Sequence, residues 1–253
     1  MSDALASPDC TVKASLAPSP NHDARPEGQE IDILLLHYTG MASAEAAIER
    51  LTSPDSKVSC HYLVHEDGCV VQMVPESRRA WHAGLGSWAG DSDINARSVG
   101  IEIVNPGHEF GYRPFPDAQI QSVILLGKDI CARHGIPPER VLAHSDTAPR
   151  RKQDPGELFP WDALAVAGLG HWVEPAPISG GRFLSEGDRG EPVEALQAML
   201  ALYGYAMDIN GHFDGATRSI VEAFQRHFRP ARVDGIADGS TVTTLRNLLA
   251  ELP

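Results

Sequence analysis

No stretch of this sequence reaches the ~18–20 consecutive apolar residues that a membrane-spanning helix needs, so insertion into a bilayer is not expected. Basic charge is scarce too. Lys and Arg number 21 against 34 Asp and Glu, a formal net charge of -13. Binding a phosphate backbone wants an excess of Lys and Arg, so no nucleic-acid partner is expected. Cysteine is sparse: Cys10, Cys60, Cys69 and Cys131 are too few and too scattered for a disulfide framework. Cys60 and Cys69 could pair or bind metal, but free buried thiols are the expectation. The N-terminus, MSDALASPDCTVKASLAPSP, has neither the basic region nor the apolar core of a secretory signal. No apolar stretch precedes Cys10 as a lipoprotein would require. A cytoplasmic location is therefore expected, or a periplasmic one if a signal segment is missing ahead of Met1.

What is present is enough apolar residue, 42 % of 253, for a sizeable core. At roughly 100–200 residues per domain, one large domain or two unequal ones are expected. Residues 1–28 are rich in Ser, Pro, Asp and Ala and read as a flexible tail. Ile31 to Leu36 is a short apolar run with the look of a buried strand, and it delivers His37 at its exit. Ser43 can cap a short helix to Leu51. Ser59 to Val64 and Cys69 to Val74 read as a hairpin turning at Glu66-Asp67-Gly68. A loop with Trp81 and Trp88 among glycines suits a platform for a sugar or peptide, or else plugs a core. Ser98 to Asn105 reads as a central strand in which Glu102 faces away from Ile101 and Ile103. Asp117 to His134 reads as a helix capped by Asp117 and stopped by Gly135. Val141-Leu142-Ala143 is a further strand delivering His144, and Trp161 to Trp172 a last helix.

Residues 173–182 have linker composition. Residues 183–253 then carry three helical patterns: Pro192 to Tyr203, Ala216 to Phe228, and one after Ser240. The loops Gly211-His212-Phe213-Asp214-Gly215 and Val233 to Gly239 precede the last two, which makes a weak internal repeat.

Zinc takes His nitrogen and Asp oxygen, with three protein ligands and a water at catalytic sites. His37, His144 and Asp154 are the candidates, all at strand exits or in loops. Each alone also fits a hydrogen-bonded structural role. Together they gain weight, because two adjacent strands that each end in His can share one ion. Glu102 is the best-placed base for a metal-activated water, although it could instead be a structural partner of Arg97. Lys152 is the candidate cation for an oxyanion, although it could be a solvated loop lysine. His61 and His82 read as groups near the site that support a ligand or touch substrate.

The segments ILLLHYTG, SCHYLV, AWHAG, SVGIEIVN and AHSDTAPRRKQDPG, in this order, resemble the zinc-dependent N-acetylmuramoyl-L-alanine amidases of the amidase-2 type. The resemblance spans about Glu30 to Trp172. It implies an α/β fold with a central mixed β-sheet flanked by helices, as in peptidoglycan recognition proteins, and a catalytic domain over residues 29–172. It implies His37, His144 and Asp154 as Zn2+ ligands, Glu102 as the catalytic glutamate and Lys152 as the transition-state lysine. His61, Trp81, His82 and Asn95 match substrate-binding positions in the cleft. The implied reaction is hydrolysis of the amide between the lactyl group of N-acetylmuramic acid and L-Ala, in muropeptides or peptidoglycan, during cell-wall recycling or turnover. Residues 183–253 resemble the small three-helix peptidoglycan-binding module, as a binder or only as a packing partner. A monomer is the expected state. A non-catalytic peptidoglycan sensor on the same fold, or a zinc peptidase cutting within the stem peptide, are the alternatives. The complete set of ligands, base and cation favours the amidase, since a sensor has no need to keep base and cation together.

Overall fold

The computed structural model describes residues 5–252, so the first four residues of the expected tail and Pro253 lie outside the described residues. The chain opens with short strands β1 (Ala14–Leu16) and β2 (His22–Ala24), then the central β3 (Ile33–Tyr38). Helix α1 (Ala44–Thr52) starts where the Ser43 side chain accepts from the Ala46 amide. The hairpin β4 (Tyr62–Val64) and β5 (Val70–Gln72) follows, then β6 (Arg78–Ala80), α2 (Ile94–Arg97) and β7 (Ser98–Ile103). Next come α3 (Gly107–Phe110), α4 (Asp117–His134), β8 (Val141–Ala143), α5 (His144–Thr147) and α6 (Trp161–Val166). Three longer helices close the chain: α7 (Glu191–Tyr203), α8 (Gly215–Phe228) and α9 (Gly239–Glu251).

The main sheet is mixed, in the order β1-β5-β4-β7-β3-β8. β3 is parallel to both β7 and β8, and only the β4–β5 hairpin is antiparallel. Strand side chains alternate between faces, and the two faces are covered differently. Leu34, Leu36, Val99, Ile101 and Ile103 pack against Ile120, Val123, Ile124 and Ile130 of α4. On the opposite face, Leu63 and Val71 pack on Ala47 and Leu51 of α1. Ile33, Leu35 and Leu142 instead share a core with α7, α8 and α9. His37 and Glu102 are register partners on this second face, at the carboxyl end of the strands.

Three expectations change here. The segment before Gly28 is not a loose tail from Cys10 onward: β1 pairs with β5 and β2 with β6. Its polar side chains find buried partners. Asn21 donates to the carbonyls of Ser53 and Val58, and Arg25 donates to those of Glu76, Asn95, Ala96 and Ser98 at 2.7–3.1 Å. Asp117 is the first residue of α4 rather than its cap, which is Pro116. The helix from Trp161 stops at Val166, because Gly168 and Gly170 adopt left-handed φ values that end it, and Trp172 packs instead toward Phe228.

The weak repeat is a structural one. Gln197 of α7 accepts from the amides of Asn210 and Gly211 and donates to the His212 carbonyl. Gln225 of α8 accepts from the amides of Asp234 and Gly235 and donates to the Ile236 carbonyl. Each loop then ends in an aspartate, Asp214 or Asp238, that caps the next helix.

Candidate active site and metal centre

β3 and β8 run parallel and adjacent, so their carboxyl ends present His37 and His144 side by side. Asp154 returns from the following loop, its carbonyl accepting from the Ser145 amide. His37 Nδ1 lies 2.9 Å from His144 Nδ1 and 3.2 Å from Asp154 Oδ2, and His144 Nδ1 lies 3.0 Å from Asp154 Oδ2. All three side chains are buried.

These three atoms suit one metal ion. Ligands at about 2.0 Å in a tetrahedron stand about 3.3 Å apart, close to the edges seen. The outward nitrogen of each ring is already engaged, His144 Nε2 donating to the Ala83 carbonyl at 2.9 Å. That leaves the His144 Nδ1 lone pair turned toward the other donors. Converging lone pairs in a dry site repel unless a cation lies among them. Burial and the neighbouring His144 lower the His37 pKa to about 4, with Asp154 opposing. Burial alone would raise the Asp154 carboxyl, but the two histidines hold it well below its ordinary range. Neutral imidazole and ionised carboxylate are the forms that bind metal.

The cleft beside this triangle has a volume of about 570 Å³ and is lined by Tyr38, Trp81, Glu102, His108, Lys152 and Asp154, among others. Glu102 Oε2 is shielded from solvent and has no hydrogen-bond partner. Burial and the Asp154 charge raise the Glu102 pKa well above its ordinary value, and Lys152 acts against them. A carboxylate in that condition is a strong proton acceptor.

A family model described as N-acetylmuramoyl-L-alanine amidase matches residues 27–157. The chain is 39% identical over 234 residues to AmiD of Escherichia coli (strain K12), covering 87% of this chain and 82% of AmiD. It belongs to the N-acetylmuramoyl-L-alanine amidases. The solved complex of E. coli AmiD with anhydro-N-acetylmuramic acid-L-Ala-D-gamma-Glu-L-Lys matches this amidase with a TM-score of 0.74 at 37% identity, over 89% of this chain and 92% of that one. AmpDh3 from Pseudomonas aeruginosa in complex with anhydromuramic pentapeptide matches with a TM-score of 0.74 at 30% identity, over 90% and 94%. A peptidoglycan-binding domain model matches residues 189–245 of the amidase.

The structure sets His144, Asp154, Glu102 and Lys152 on one cleft, with Trp81 and His82 also on its wall, and His37 meets His144 and Asp154 at the donor triangle. His61 and Asn95 do not line this cleft. His61 is fully buried, accepting from the Gly100 amide and donating to the Arg78 carbonyl. Asn95 is buried too, and its Oδ1 accepts from the amides of His82 and Ala83. Trp88 is no sugar platform. It is buried edge-on to Tyr205, against Gly204, where a Cβ would lie 2.5 Å from its ring. Sequence reasoning left Pro149-Arg150-Arg151 without a role. Arg151 donates to the carbonyls of Ala83 and Leu85, tying the ligand loop to the Trp81 loop. It also missed Asp146, whose carboxylate accepts from Tyr205 Oη and lies 2.7 Å from His227 Nδ1, all buried. No local pattern marks that contact, because its members lie about 60–80 positions apart.

Proposed function

We propose that this amidase is zinc-dependent, that His37, His144 and Asp154 hold the ion, and that it cuts the lactyl–L-Ala amide of soluble anhydro-muropeptides in cell-wall recycling. The observation that carries the reading is the triangle of inward donors beside Glu102, whose shielded Oε2 has no hydrogen-bond partner. Zinc, when bound, acidifies a water and polarises the scissile carbonyl. Glu102 is the base. Its Oε2 takes the proton of the attacking water as the new C–O bond forms, then passes it to the L-Ala nitrogen as the C–N bond breaks. The Lys152 ammonium donates to the carbonyl oxygen as negative charge gathers there. Trp81, whose indole donates to Asp23 Oδ2 at 2.7 Å, is a fixed aromatic wall for the substrate.

The anhydro sugar is favoured because two of the matched structures hold anhydro-muramic ligands. Among the described residues no helix is long and apolar enough to cross a membrane. The cytoplasm is the compartment we infer, and four free cysteines suit its reducing conditions. Fractionation of the native protein that found it in the periplasm would contradict this.

The test of function is mass spectrometry of products. Zinc-loaded protein should convert an anhydro-muropeptide to free stem peptide with an L-Ala amine and intact lactyl acid, and should act more slowly on intact sacculi. Muropeptide binding without release of stem peptide would instead indicate a sensor, and cleavage within the stem a peptidase.

A further inference from the structure

His82 stands on the cleft wall and meets the Nε2 edge of His37, whose Nδ1 edge faces His144 and Asp154. Its Nδ1 is 3.0 Å from His37 Nε2, and its Nε2 is 3.2 Å from Ser98 Oγ. A proton could sit on either side of an N···N contact, so the pair alone does not say which ring donates. Ser98 decides it. Its hydroxyl lies 2.6 Å from the Ile94 carbonyl, which can only accept, so its single proton is spent there. Toward His82, Ser98 is therefore an acceptor. His82 carries its proton on Nε2, His82 Nδ1 is a bare acceptor, and His37 must donate from Nε2. The lone pair of His37 Nδ1 is then forced toward His144 and Asp154.

The niche for His82 is built. Its ring lies against Gly100 of β7, where a Cβ would stand 2.4 Å from His82 Nδ1. Any other residue at 100 would displace the ring. Asn95 fixes the backbone on both sides, accepting from the His82 and Ala83 amides at 3.0 and 2.8 Å. The ring is perpendicular to His37, with centroids 5.1 Å apart.

We propose that His82, seated on Gly100 and oriented by Ser98, is a positioning residue that locks His37 in the tautomer able to bind metal through Nδ1. This rests on His37 being a ligand. His82 thus supports the ligand set from the cleft wall.

The experiment pairs nuclear magnetic resonance with zinc titration against a competing chelator. In the zinc-loaded and metal-free full-length protein, the shared proton should reside on His37 Nε2 and show a nitrogen–nitrogen coupling to His82 Nδ1. His82→Ala should weaken zinc binding about 10–100-fold, the usual cost of losing a group that orients a ligand. His82→Gln, whose side-chain oxygen can accept from His37, should recover most of that loss. Gly100→Ala should weaken binding as His82→Ala does. Ser98→Ala should weaken it less. A proton found on His82 Nδ1, or wild-type zinc affinity in His82→Ala, would overturn the lock while the metal site stands. Wild-type zinc affinity in His37→Ala would overturn the metal site itself, and the lock with it.

Discussion

At the scale of single residues, the division of labour in the cleft makes sharp mutational demands. Glu102→Gln removes the only atom proposed to move a proton, while leaving size and fold alone. We expect it to keep zinc and lose roughly 10²–10⁴-fold in kcat, the usual contribution of a general base. Activity near wild type would remove Glu102 from that role. Asp154→Ala takes away the one charged ligand. Zinc should then be lost on dialysis, and unchanged metal content would mean a different third ligand. His37 and His144 stood out as candidates in the sequence because each follows an apolar run, whereas the roles given to Glu102, Lys152 and Asp154 came with the motifs that carry the family resemblance. The settings of His61, His82 and Asn95 were not. A histidine's role depends on where its two nitrogens point, and here those partners are backbone carbonyls, an amide and a serine that only the folded chain brings near.

At the scale of elements, the N-terminal segment shows how composition misleads. Its Ser, Pro and Asp content reads as disorder, yet Ser19 and Asn21 are buried and Asp9 exchanges hydrogen bonds with Gln72 and the Glu76 amide. Buried polar partners order it, together with the packing of Cys10, Val12 and Ala14 on the core. Arg25 satisfies carbonyls at the end of α2 and the start of β7. Arg25→Ala should therefore destabilise the protein by about 3 kcal/mol, read as a lower midpoint in calorimetry; an unchanged midpoint would contradict this.

A second element contact joins the stretch after β5 to the end of α4. Burial would raise the Glu76 carboxyl, but Arg133, His134 and Tyr62 hold it down to about 2. A depressed carboxylate stabilises the fold at pH above its unfolded value, about 4.3, and that stability is lost as pH falls through the folded value. Between pH 4.5 and 2 the wild type should lose about 2.5 kcal/mol from this group, and Glu76→Gln should show a shallower loss in denaturant titrations over the same range. Parallel curves would contradict the assignment.

At the scale of the whole molecule, the C-terminal helices are more than an appended module. Their core continues into the sheet through Ile33, Leu35 and Leu142, and Trp88 closes the seam. His227 is stacked between Trp161 and Phe228, with centroids 3.7 and 3.8 Å away, and it meets Asp146 two residues beyond the proposed ligand His144. The sequence did show the three helices, because each carries apolar residues at helical spacing. It could not show where they dock, since an apolar helix face looks the same whether it meets its own neighbours or another sheet. His227→Ala should lower stability by about 2–4 kcal/mol by leaving Asp146 short of a partner in a buried site, checked by chemical denaturation. A change within error would mean that the two parts are only tethered.

The central claim is that one zinc ion, held by His37, His144 and Asp154, makes this chain a muropeptide amidase. The most direct measurement strips the metal, adds zinc back in known amounts, and follows release of stem peptide from an anhydro-muropeptide by mass spectrometry. The account predicts no turnover in the stripped protein, and recovery that saturates at one zinc per chain in the wild type but not in His144→Ala. Full turnover by the stripped protein, or equal recovery in His144→Ala, would contradict it.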